Sequence, residues 1–161
     1  MIKILLKVNK GLVYNDVEKV TSYVGAKTEE AGQQGAYDLN RVVDDNREVL
    51  ERFWAVACSS ASTSLNHYIL HDEGYHPPTH GVELADDYEI VLGLPDNFKE
   101  SLKDSIESSL ISYFVSFICG QWFDYMNKDE ATVQIETAKG LMKDIVSMLY
   151  ARKRPKRYNM Y

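Results

Sequence analysis

Between Pro95 and Asn127 the chain carries the pattern that most limits what it can become. Phe98, Leu102, Ile106, Leu110, Phe114 and Phe117 succeed one another at steps of four and three. Tyr113, Ile118, Trp122 and Tyr125 widen the apolar stripe, while Lys99, Glu100, Lys103, Asp104 and Glu107 keep to the other side. That spacing is the period of a helix and not of a strand. About thirty residues at 1.5 Å each make a rod of roughly 45 Å, long enough to span a small domain. The rest of the chain has to pack around it.

Three other helices and two strands follow from the same reasoning. Leu39, Val42, Val43, Leu50, Phe53, Ala57, Ala61, Leu65, Tyr68 and Ile69 form a stripe that predicts a second long helix over about 40–70. Its middle, Ala55 to Ser64, is small-sided and lets another helix approach closely. Ile135, Ala138, Leu141, Met142, Ile145, Met148 and Leu149 predict a C-terminal helix over about 128–153, ended by Pro155. The central helix is expected over about 97–126, opened by Pro95 and capped by Asp96 or Asn97 with Glu100 completing a box. Asn127 and Glu130 have the same spacing before the last helix. Alternation at Ile2, Ile4, Leu6 and Val8 marks a strand over about 2–8, broken by Lys10-Gly11. Tyr88, Ile90, Leu92 and Leu94 mark another over about 88–94, which needs the first strand's edge. A short helix is expected from Asn15 to Val24, stopped at Gly25, with a loop from Ala26 to Ala36. The fold class is mainly α: a helical bundle, one domain over 1–154, with a basic tail at 155–161.

Charge is unevenly distributed. The chain carries −6, yet Arg152, Lys153, Arg154, Lys156 and Arg157 give its last ten residues +5, which leaves −11 on the other 151. An acidic body with a basic tail implies that the tail has its own partner. Arg152, Lys153, Arg154, Lys156, Arg157, Tyr158 and Tyr161 fit an acidic, partly aromatic protein groove better than DNA, which the acidic body would repel.

Cys58 and Cys119 lie 61 positions apart in apolar helical stretches and read as buried thiols rather than a disulfide, which suits a reducing compartment. Met1 to Val8, with lysines inside its only apolar run, does not read as a signal peptide. The weakly charged stretch Ser108 to Gln121 has fourteen residues, fewer than the roughly twenty a bilayer requires. No membrane association is expected.

All four histidines fall within fourteen residues: His67, His71, His76 and His80. His67 and His71 are one helical turn apart and could hold a metal, with Asp72 and Glu73 adjacent. No cysteine pair and no HExxH accompanies them, so they read better as a polar loop. Asp44, Asp45, Glu48 and Glu51 form an acidic, solvated face. No nucleophile motif, phosphate loop or singled-out carboxylate pair is present, and no cofactor is expected.

Leu94-Pro95-Asp96-Asn97-Phe98, Asn127-Lys128-Asp129-Glu130 and the run from Arg152 to Arg157, set in this order of helices, resemble the head-to-tail connector (adaptor) proteins of tailed bacteriophages. The likeness is to those of phages infecting Bacteroides-type bacteria. The N-terminal strand and the His-rich excursion depart from the simplest adaptors. The resemblance implies a structural, non-enzymatic virion protein, assembled in the host bacterial cytoplasm. About twelve copies would form a ring in the neck beneath the portal protein, contacting other neck or tail proteins. DNA would pass through the channel without specific binding, past acids such as Asp44, Asp45, Glu48 and Glu51. The alternatives are a metal-binding or hydrolytic enzyme organised on His67–His80, or a small nucleic-acid-binding module using the tail.

Overall fold

The structure, a computed structural model, describes residues 1–71 and 87–155. It is mainly helical with one two-stranded sheet, as the periodicities predict. Strand β1 (Ile2–Asn9) leads into α1 (Lys10–Glu30) and the single-turn α2 (Ala36–Asn40). A 3-10 turn at Asp44–Asn46 precedes α3 (Arg47–Leu65). Strand β2 (Asp87–Leu94), a second 3-10 turn at Glu100–Leu102, α4 (Lys103–Met126) and α5 (Lys128–Leu149) complete the described chain.

The two strands pair antiparallel, Ile2 opposite Leu94 and Asn9 opposite Asp87. That register puts Ile4, Leu6, Val8, Tyr88, Ile90, Leu92 and Leu94 on the buried face, as their alternation requires. Each of α1, α3, α5 and β1 packs on α4, so the rod is the hub of the fold. At its centre Phe114 is fully buried between Trp54 and Tyr88, with ring centroids at 5.0 and 5.1 Å. Cys58 and Cys119 are buried and unpaired.

Several boundaries differ from expectation, each for a tertiary reason. The strand ends before Lys10-Gly11 as expected, but the helix does not wait for Asn15: Asn9 Oδ1 accepts a hydrogen bond from the Leu12 amide at 3.0 Å, so α1 begins at once. Gly25 does not stop α1 either. It is buried where α2 crosses, and a β-carbon there would lie 3.0 Å from the Tyr37 backbone. The helix runs to Glu30, and the turn behind it uses the left-handed backbone of Gly35 (φ 78°).

The stripe over 40–70 is not one helix. Val42 donates its amide to Thr21 Oγ1 and Val43 donates to Asn46 Oδ1, both at 3.0 Å, and this breaks the chain between α2 and α3. Leu39 is consequently 62% exposed, outside the core its spacing suggested. At the other end Tyr68 and Ile69 are buried without being helical. The Leu70 amide bonds to Val91 O (2.9 Å) and the Gly93 amide to Tyr68 O (2.8 Å), covering the open edge of β2.

The central helix begins at Lys103, not near 97, and Asp96 and Asn97 do not cap it. Asp96 takes the N-terminal ammonium of Met1 instead. The C-terminal helix ends at Leu149, short of 153, because the following residues turn back along the start of the rod. Lys153 donates its amide to Asn97 O at 2.7 Å, and Arg152 bridges Phe98. Asn127 does cap the last helix, its Oδ1 accepting from the Glu130 amide at 3.4 Å, but its own amide donates to Phe123 O at 2.7 Å, so only half of the expected box is made.

Candidate interaction surfaces

The structure separates the residues that composition grouped together. His67 is exposed after the end of α3 and sets its ring edge-on to Tyr68, with centroids 5.3 Å apart. His71 pairs its Nε2 with Asn66 Oδ1 at 3.0 Å. Because α3 stops at Leu65, the two histidines do not share a helical turn. His76 and His80 lie outside the described residues. Among the described residues no group of three or more His, Cys, Asp or Glu is placed to hold a metal ion.

The acidic face also divides. Asp44, Asp45 and Glu48 are exposed, whereas Glu51, its side chain 39% exposed, is held by two partners. It accepts from Lys10 Nζ at 2.6 Å and from the Tyr14 hydroxyl at 3.0 Å, joining α3 to α1. Burial first, and the Glu51 carboxylate second, hold the Tyr14 phenol far above its usual range, so it stays a donor.

The basic segment begins later than its charges suggest. Arg152 gives its guanidinium to Leu149 O and Ala151 O, at 2.8 and 3.1 Å, satisfying carbonyls that a helix end leaves open. Lys153 Nζ lies 3.0 Å from Glu100. These two cations hold the chain's end to the rod, while Arg154 is exposed. Lys156, Arg157, Tyr158 and Tyr161 lie outside the described residues.

Among the described residues, two concave surfaces stand out. The larger is an open apolar groove of about 670 Å³ over the middle of α4, between α3 and α5. Tyr113 and Phe117 lie in it, α5 contributes Ile135, Met142 and Val146, and Ser60 and Ser64 of the small-sided stretch form the other wall. Ser60 Oγ and the Tyr113 hydroxyl share a hydrogen bond of 2.9 Å that keeps the tyrosine against α3. Lys139 and Lys143 stand at the rim. Phe117, expected to be nearly buried, is only partly so, because α3 and α5 stand apart above it.

The smaller is a cavity of about 370 Å³ at the end of the rod where α2 lies. Gln33, Gln34, Ala36, Leu39, Asn40, Met126 and Asn127 line it. Asn40 is 3% exposed; its Nδ2 donates to Ala36 O at 2.8 Å, but its Oδ1 accepts no hydrogen bond among the described residues. A buried amide oxygen without a donor is costly, about 1–3 kcal/mol.

No protein-family model, no curated protein and no solved structure matches this chain.

Neither concavity was legible in the residues. The small-sided run at Ala55–Ser64 signalled close approach of a helix, and Ala57, Cys58 and Ala61 do meet the core, but the same run also leaves a gap toward α5. Asn40 has no local signature, since its environment is assembled from residues 33–40 and 126–127. Among the described residues, no helix is long and apolar enough to cross a membrane.

Proposed function

We propose that this chain is a structural component of a bacteriophage neck: a ring-forming head-to-tail connector seated beneath the portal, extending the DNA channel and receiving the tail. The observation that carries the reading is the open groove over α4, whose apolar lining suits the docking of a neighbouring helix rather than the enclosure of a substrate. A ring of identical copies needs such a docking surface on every subunit. Two of the motifs that carry the resemblance support it further. Leu94-Pro95 stands where β2 hands over to the rod, and Asn127 caps α5 directly after α4. The acidic body suits a wall along which DNA slides, because like charge denies it phosphate contacts.

Virions whose genome encodes this chain provide the test. Antibodies raised against the purified protein should decorate the junction of head and tail, and the protein should be recovered from particles in about twelve copies, the stoichiometry of a closed cyclic ring. Particles that lack the protein, or labelling confined to the capsid or tail tip, would overturn the proposal.

A further inference from the structure

The cavity beside Asn40 has the makings of a specific binding site, and the chain itself supplies a matching ligand. The two segments that frame the cavity, 29–41 and 124–130, hold six acids (Glu29, Glu30, Asp38, Asp124, Asp129 and Glu130) against two bases, Arg41 and Lys128. Glu29 is at the rim itself, its carboxylate accepting from the Gly35 amide at 3.4 Å. Leu39, Ala36 and Met126 offer apolar walls, and Asn40 also lines the cavity, its buried Oδ1 accepting no hydrogen bond among the described residues. The complementary ligand is therefore cationic, with a side chain that is apolar along its body and carries one hydrogen-bond donor at its tip. Residues 156–161, Lys-Arg-Tyr-Asn-Met-Tyr, have this composition.

These residues cannot reach the cavity of their own copy. Helices α4 and α5 run antiparallel, so α5 begins beside the cavity and the chain after it returns to the other end of the rod, where Lys99 donates its amide to Ala151 O at 3.4 Å. The 24 residues of α4 separate the two ends by about 35 Å at 1.5 Å per residue. Six extended residues span about 20 Å at most.

We propose that the cavity receives residues 156–161 of a second copy, in a head-to-tail contact repeated from subunit to subunit. Tyr158 enters the cavity, its ring against Leu39 and Met126 and its hydroxyl donating to Asn40 Oδ1. Lys156 and Arg157 meet Glu29 and the other acids of the two framing segments. The choice of a second copy over an unrelated acidic protein rests on the ring reading above; the contact is of the heterologous kind that closes rings.

Two full-length variants test it. One alters the cavity, Leu39→Glu with Met126→Glu, at positions 62% and 38% exposed, so that the fold is spared. The other alters the tail, Lys156→Glu, Arg157→Glu and Tyr158→Ala. In sedimentation at low salt the native chain should self-associate and each variant should do so about tenfold more weakly or worse, with unchanged melting. Mixed together, the two variants should form one-to-one pairs and nothing larger, because the mixture retains one intact tail and one intact cavity. Self-association of either variant at native strength would overturn the proposal while leaving the ring reading in place. A native chain that stays monomeric at every concentration would also overturn it, and the ring reading would then be decided on virions alone. Mixed variants that fail to pair would show that the tail and the cavity are not partners.

Discussion

The Trp122 indole donates its Nε1 hydrogen to the backbone carbonyl of Asn40 across 2.7 Å, joining two residues 82 positions apart. Both residues are buried, so this bond anchors α2 to the last turns of the rod and positions the Asn40 side chain. Trp122→Phe keeps the aromatic bulk but removes the donor, leaving a buried carbonyl unmet. A loss of about 1–3 kcal/mol in urea unfolding is expected. Hydrogen exchange should also speed up at Ala36–Asn40 before it does elsewhere.

Phe114 and Phe117 lie on the same ladder but should respond very differently. Phe114 touches Trp54, Tyr88 and Tyr113, and Phe114→Ala should cost about 3–5 kcal/mol in denaturant unfolding. Phe117 lines the open groove, so Phe117→Ala should cost under about half of that, since water fills the vacated space at little penalty. Equal losses would mean that the groove is closed in solution.

Two helical glycines give opposite signs. At Gly25 a β-carbon would press on the Tyr37 backbone at 3.0 Å, so Gly25→Ala should destabilise by about 1–3 kcal/mol as α2 is forced away. Gly140, within α5, has open space around it, and Gly140→Ala should stabilise by up to about 1 kcal/mol through helix propensity alone. Thermal melts of the two variants decide both.

Alkaline pH should unfold the protein through its buried acids. Burial pushes the Cys58 and Cys119 thiols from 9.0 up to about 12, and raises the Tyr113 phenol above 10.0. Between those limits the unfolded chain loses protons that the folded chain retains, so ionisation favours unfolding. Stability should be flat to about pH 9 and then fall, by up to about 1.4 kcal/mol per pH unit for each such group. Replacing both cysteines by Ala should shallow that slope. In the native state at neutral pH neither thiol should react with a thiol reagent until the protein unfolds.

Glu51 should behave unlike its acidic neighbours. Its carboxylate holds Lys10, whose side chain is only 13% exposed, and Tyr14. Glu51→Ala should cost about 1–3 kcal/mol by stranding both donors. Asp44→Ala, Asp45→Ala and Glu48→Ala, all at exposed positions, should leave the melting temperature unchanged.

The sequence by itself determined the kinds of element and their buried faces. Periodicity reports which side of an element meets the core, and it did so for the ladder through Ile106, Leu110 and Phe114 and for both strands. Their register followed, because a slip by one residue would turn Leu6 and Ile90 to water. Asn127 was also legible, since a cap and the amide it meets lie within three residues. What required the tertiary structure was every feature decided by distant partners. Gly25 reads as a helix stop until α2 is seen crossing it, and Arg152 reads as a cation of the last helical turn until it bridges Phe98. Local signals report on a neighbourhood of a few residues. The groove above Phe117 and the cavity beside Asn40 are instead spaces between elements, set by how far apart packed helices stand, and no single stretch of chain encodes that distance.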